Sequence, residues 1–247
     1  MTDHELIRML DSYGQGELNG YLTSHPVSED IIRRYADKVY WMDISWCQKL
    51  SEGFIRDYAD KVNWEHISSN QILTEPFIKE NSDKVNWHMV SHHQVLFESF
   101  IREFADRVDW RNVSRFQVLS EDFIRENEDR LDWKEVSSNQ ALSEGFIREF
   151  RDRVYWSAIS CFQTLSEGFI REFSDMIEWQ GISMGQKLSE GFIRENADRL
   201  DWNQISRHQE LSESFIREFA ARINWYALSK NESIHFDVNK LRQLKSS

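Results

Sequence analysis

Two prolines, two cysteines and nine glycines are all that this 247-residue chain holds of the residues that most often break, staple or loosen a backbone. So little proline and glycine excludes long flexible or polyproline linkers. The two cysteines, Cys47 and Cys161, are too few for a disulfide framework and suit a reducing, cytoplasmic setting. No apolar run approaches the roughly 20 residues needed to cross a bilayer, so no membrane partner is expected. The start, Met1-Thr2-Asp3-His4-Glu5, lacks the basic-then-apolar pattern of a secretory signal.

Chemistry is missing as well. There is no Gly-rich phosphate loop, no nucleophile elbow, no His-Glu-x-x-His and no carboxylate pair standing apart from its surroundings. No enzyme activity, cofactor or metal is therefore expected. Positive charge is short too: 30 Lys and Arg stand against 42 Asp and Glu, a net −12.

What the chain has instead is periodicity. A 23-residue unit recurs nine times without insertion or deletion, starting at Val27, Leu50, Leu73, Leu96, Leu119, Leu142, Leu165, Leu188 and Leu211 and closing at Ser233. A fixed period of this length predicts an all-α fold, an α-solenoid of nine helix-turn-helix repeats. Residues 1–26, with Leu6, Ile7, Leu10, Leu18, Tyr21 and Leu22 in a degenerate helical pattern, read as an N-terminal cap. Residues 234–247 read as a closing helix and tail, with Ile234 to Leu244 helical and Asp237 as its N-cap.

The unit Leu142 to Thr164 shows the logic. Ser143 is an N-cap, Glu144 complements the positive helix end, and Phe146, Ile147, Phe150 and Val154 share one face of a helix of roughly eleven residues. Arg148 with Asp152, and Glu149 with Arg153, have the i,i+4 spacing of exposed ion pairs. A shorter second helix follows, with Trp156, Ile159, Ser160 and Gln163 on one side and Ser157, Ala158, Cys161 and Phe162 on the other. In several units an Asp or Asn before the Trp would cap it, as at Asp109 and Asp201.

The Trp of every unit, Trp41 through Trp225, reads as a post of the inter-repeat core, its indole N–H satisfied by a neighbouring unit. The alternative is a ladder for stacking nucleobases. The recurring Ser (Ser45 to Ser229) and Gln (Gln48 to Gln209, with Glu232 last) read as a hydrogen-bonded scaffold rather than nucleophiles. A typical unit sums to −1, so most of the acidity is scaffold chemistry; an acidic DNA-mimic inhibitor remains an alternative.

Five positions of the unit, 16, 17, 20, 21 and 23, follow no rule. Stacked, they would form one strip opposite the Trp and Ile side. The strip carries seven bases against four acids, net +3, so the remainder of the chain sums to −15. The residues singled out for partner binding are Trp46, His88, His92, His93, Arg111, Arg115, Phe116, Phe162, Arg207, His208 and Tyr226. Aromatics and Arg are the types enriched at interface hot spots. Ile72, Val95 and Val118 belong to the same strip at position 23. Another protein is the partner this composition favours. Arg111, Arg115 and Phe116 would instead suit phosphate contact with base stacking, a nucleic-acid or nucleotide alternative. His88, His92 and His93, with His66 one repeat away, have spacing compatible with zinc but lack an evident completing ligand.

The recurring string Leu-Ser-Glu-x-Phe-Ile-Arg-Glu-Phe-x-Asp-Arg-Val-Asp-Trp-x-x-Ile-Ser-x-x-Gln resembles tandem-repeat proteins of large DNA viruses and bacteriophages. The likeness covers residues 27–233; Leu96 to Gln117 is close to the string but has Phe97 in place of Ser. The resemblance implies no enzymatic role. It implies a virus-encoded protein that inhibits a host protein, such as a defence component, in the host cytoplasm.

Overall fold

A computed structural model describes residues 3–235. These form twenty α-helices and no strand, in the 23-residue rhythm of the sequence, a helical-repeat solenoid. Two helices, Asp3–Asp11 and Gln15–Ser24, precede the repeats, as the degenerate N-terminal pattern predicts. The closing helix expected after Ser233 falls almost wholly outside the described residues. Packing divides the chain after Leu119 into two compact units. The first holds the N-terminal helices and four repeats; the second holds the rest.

A six-residue helix (Glu52–Asp57, Glu75–Glu80, Glu144–Glu149) pairs with one of seven (Trp64–Asn70, Trp87–His93, Trp156–Phe162) in every repeat but the last, whose second helix, Trp225–Leu228, has four. Helices this short are marginal in isolation, so packing must hold them. The first helix is shorter than the eleven residues expected. It stops at Phe150, whose carbonyl accepts the N–H groups of both Arg153 and Val154. This tight extra turn still places Val154 in the core.

The early stop re-routes the charges. Arg148 bonds Glu172 of the next repeat at 2.8 Å and Glu144 at 3.6 Å, and Arg153 bonds Asp129 of the preceding repeat at 2.6 Å. The expected pairs Arg148–Asp152 and Glu149–Arg153 do not form, because the helix ends before either spacing closes. The closer of these ion pairs therefore link repeats, while the pair within the repeat, Arg148–Glu144, is longer. Each is exposed, so each contributes little alone, although repetition builds rows of them.

The N-caps follow the sequence. Ser143 Oγ accepts from Phe146 N at 3.1 Å, and Ser51, Ser120, Ser166, Ser189 and Ser212 do the same in their repeats. Glu144 also reaches forward to accept from Ser166 N at 2.6 Å. Ser28, Tyr40, Tyr155 and Glu178 make no side-chain cap bond, and among the first helices of the repeats Phe97 stands apart: it has no side-chain acceptor to offer and stands in solvent. Losing a Ser cap costs about 1 kcal/mol, so Phe97 is held against the interest of the fold.

Three recurring side chains lock neighbouring repeats. Ser160 Oγ donates to Trp156 O at 2.7 Å and accepts from Glu178 N of the next repeat at 2.9 Å. Gln163 Nε2 donates to Ser137 O and Gln140 O of the preceding repeat at 3.0 and 2.8 Å, while its Oε1 accepts from Leu142 N at 3.0 Å. Both side chains are buried and fully used, as the sequence predicts. In the last repeat Asn231, and not Glu232, takes the Gln role, donating to Ser206 O and Gln209 O. A carboxylate offers no proton to those carbonyls.

The Trp packs between repeats, but its N–H does not look to a neighbour. Trp156 Nε1 donates to Arg151 O of its own repeat at 2.9 Å, and Trp64, Trp87, Trp133 and Trp202 likewise bond the carbonyl five residues back. The early helix stop frees that carbonyl. The ring meets the next repeat's aromatics, as with Trp202 against Phe219 at 5.0 Å and Phe215 at 6.3 Å. It remains half-buried, and a cation covers its face: Arg222 sits 5.8 Å over Trp202 and Arg199 4.7 Å over Trp179. A ring so covered is no platform for a base.

The packing of helix Trp179–Gly185 on Trp156–Phe162 in the second unit needs glycine. A Cβ on Gly185 would overlap the backbone carbonyl of Cys161, its carbon lying at 3.0 Å, and one on Gly181 would sit 2.8 Å from Cys161 Sγ. Backbone cannot yield as a side chain can. Gly185→Ala is expected to lower stability by about 1–3 kcal/mol despite its better helix propensity, read as a lower urea midpoint. An unchanged or raised midpoint would show that the two helices separate freely.

Candidate interaction surface

Positions 16, 20, 21 and 23 of the repeats are mostly exposed, as their variability predicts. Position 17 is not. Asn112, Glu135, Ala158 and Ala227 are buried against neighbouring second helices, and Asp43, His66 and Met89 are half-buried. A seven-residue helix touching neighbours on two sides has only a narrow outward face. Removing position 17 takes Asp43 and Glu135 out of the strip and leaves its exposed part more basic.

In the first unit the candidate residues gather around repeats three and four. His92 packs at a tilt against Phe116, with ring centroids 3.9 Å apart, and against His93 at 4.0 Å. The Arg115 guanidinium lies 5.1 Å from the Phe116 centroid. His88 Nδ1 lies 2.7 Å from Asp109 Oδ2 and 3.1 Å from Asn112 Nδ2. Burial would push the Asp109 carboxyl up, but the Asn112 N–H and the His88 imidazole hold it below the ordinary carboxylate value. Burial, together with the nearby His92 and His88 imidazoles, holds His93 below the ordinary histidine value, which favours its neutral form. His92 Nδ1 is buried without a hydrogen-bond partner. Arg111 is exposed on the helix Trp110–Phe116, which also carries Arg115 and Phe116.

Trp46 is 59% exposed and meets the edge of His66 at 4.9 Å. His66 therefore faces Trp46, and His88 faces Asp109, so the spacing compatible with zinc does not become a ligand set. Among the described residues no three His, Cys, Asp or Glu side chains converge on a metal position. Cys47 and Cys161 are free thiols, half-buried, and burial raises both above the ordinary thiol value.

In the second unit Phe162, Arg207, His208 and Tyr226 are all exposed. Grooves run between successive connectors there. One of about 620 Å³ is lined by Ser138, Asn139, Phe162 and Thr164, and one of about 610 Å³ by Lys187, His208, Glu210 and Ser212. Both lie at the end of the second helix, at positions 20 to 23 and the following cap.

The connectors of the first unit carry a feature that the aromatic and basic residues overshadow in sequence. Ile72, Val95 and Val118, all at position 23, are 95%, 84% and 93% exposed, and Phe97 is 70% exposed. The signal was present as an apolar residue at one position in three consecutive repeats, beside the one Phe among the N-caps.

Comparison with protein-family models, with curated proteins and with solved structures returns no match to this chain. The fold itself defines the class, an all-helical repeat protein. Among the described residues no helix is long and apolar enough to cross a membrane.

Proposed function

We propose that this chain is a nonenzymatic binding scaffold that grips another protein through the outward ends of its second helices. The observation that carries the reading is the cluster of His92, His93, Arg115 and Phe116. It is exposed or half-exposed, rich in hot-spot residue types, and built at positions on which the repeat lock of Ser, Gln and Trp makes no demand. Such a cluster offers flat rings for burial and a guanidinium for a partner carboxylate or carbonyl.

The acidic DNA-mimic alternative gains no support, because the acidic rows are tied to cations of adjacent repeats, as in Arg171–Glu195 and Arg222–Asp198. Nucleic-acid binding is less well served than protein binding, since the Phe116 ring is already packed by His92 and Arg115. The repeat's likeness to viral and phage tandem repeats directs the search to host proteins and to inhibition as the consequence of binding.

The test is affinity capture from a host-cell lysate, comparing wild type with Arg115→Ala/Phe116→Ala. A partner retained by wild type and reduced at least tenfold in the variant, with thermal stability within about 0.5 kcal/mol, is the expected result. Equal capture removes this cluster from the site. A gel shift of single-stranded nucleic acid that weakens steeply with salt would establish the other class of partner.

A further inference from the structure

The connector ridge of the first unit goes beyond that reading by specifying what kind of segment the partner presents. We infer that Ile72, Val95, Phe97 and Val118 form a docking ridge for one amphipathic, acid-flanked helix of a partner protein. The inference rests on the proposed protein-binding role.

The ridge is not a requirement of the fold. Elsewhere position 23 is Lys49, Ala141, Thr164, Lys187, Glu210 or Ser233, and the repeats form equally well. Single exposed apolar residues are ordinary, but three nearly bare ones at the same position of consecutive repeats, with an exposed Phe beside them, are not. Phe97 adds a second argument, because it displaces a capping Ser that the scaffold would use. A residue that weakens its own helix and projects a ring into water is held there for something outside the fold.

The geometry selects the occupant. Val95, Leu96 and Phe97 lie in an extended connector, where alternate side chains share a side: Val95 and Phe97 are exposed and Leu96 is buried. Successive second helices of this unit pack directly on one another, so ridge residues recur at roughly the 8–10 Å of a helix–helix contact. On an α-helix, residues seven apart lie on one face and about 10.5 Å apart. A helix laid across the repeats, with an apolar residue at about every seventh position, would meet the ridge knob for knob.

Charge selects the flanks of that helix. In the first unit, positions 20, 21 and 23 carry the cations Lys49 and Arg115 and no acid. The acids bordering the ridge are committed: Glu75 accepts from Phe97 N at 2.7 Å and Glu98 pairs with Arg102 at 3.5 Å. A helix flanked by Asp and Glu complements this edge, whereas a Lys-flanked one meets like charge.

The experiment is a selection of displayed 20-residue peptides on the full chain, with the variant Ile72→Ser/Val95→Ser/Val118→Ser as counter-target. Enriched peptides are expected to carry apolar residues about seven apart, to be net acidic, and to bind wild type at least tenfold more tightly than the variant. Phe97→Ser is expected to weaken the same peptides severalfold while raising the melting temperature by about 2–4 °C, since it restores a cap. This opposition separates loss of a contact from loss of fold.

Enriched peptides that lack the spacing, or that bind the triple variant equally well, overturn the inference. A concentration-dependent dimer of wild type that is absent in the triple variant also overturns it, because the occupant is then a second copy of this chain. Peptides indifferent to the triple variant but lost in Arg115→Ala/Phe116→Ala would sink the ridge and leave the broader protein-binding reading standing.

Discussion

Gln163→Ala is expected to destabilise the second unit by about 3–6 kcal/mol, seen as a large fall in the urea midpoint or as early loss of helical signal on heating. The side chain is buried and makes three hydrogen bonds, all to backbone: it receives Leu142 N and donates to Ser137 O and Gln140 O. Truncation orphans one donor and two acceptors at once, and each buried group left unmet costs about 1–3 kcal/mol. Gln163→Glu is expected to fail as well despite matching volume. A carboxylate can accept from Leu142 N but cannot donate to two carbonyls. A change below about 1 kcal/mol would mean that water replaces the amide without penalty, and the ladder would then be decoration rather than lock.

Trp202→Ala and Trp46→Ala are expected to separate by about 3 kcal/mol although they remove the same side chain. Trp202 contacts Phe215 and Phe219, bonds Ala197 O at 2.8 Å and lies under Arg222. Truncating a buried Trp costs about 3–5 kcal/mol, and its half-exposed state places it near the lower end. Trp46 stands mostly in water with one edge contact to His66, and its loss is expected to change stability by no more than about 0.5 kcal/mol. Chemical denaturation of both variants decides the matter. Equal losses would erase the division between scaffold and surface on which the functional reading depends.

Gly185 belongs to the same group of scaffold tests, though with a smaller expected effect. The binding variants at Arg115 and Phe116, and the ridge variants, test the other half of the division. They are meant to move affinity and leave stability almost untouched, apart from Phe97→Ser, which is expected to improve it.

Much of this architecture was legible in the chain. The unbroken period reported the solenoid, and the Ser, Asp or Asn before most of the helices reported their starts. Burial of the recurring Ser and Gln followed from nine copies of the Ser and eight of the Gln on an apolar face. The length of the first helix was not legible, because Phe150, Val154 and the charges between them fit a continuous helix as well as a helix followed by a tight turn. The ion pairs were misassigned for the same reason: i,i+4 spacing is visible in sequence, while a partner 24 residues away in the next repeat is not. Position 17 looked like surface because it varies, yet it varies among residues that the neighbouring helix accommodates, from Asn112 to Ala158.

The candidate site divides along a similar line. Sequence alone determined which positions are released from the repeat, and with them the aromatic, basic character of that face. The tertiary structure decided which of those side chains meet. It brought His92, His93, Arg115 and Phe116 into one cluster and set His88 on Asp109. It also left Ile72, Val95, Phe97 and Val118 bare at the connectors. The reason is physical: a period fixes what each repeat must supply to its neighbours, whereas exposure depends on how closely those neighbours approach, and only the packed helices set that distance.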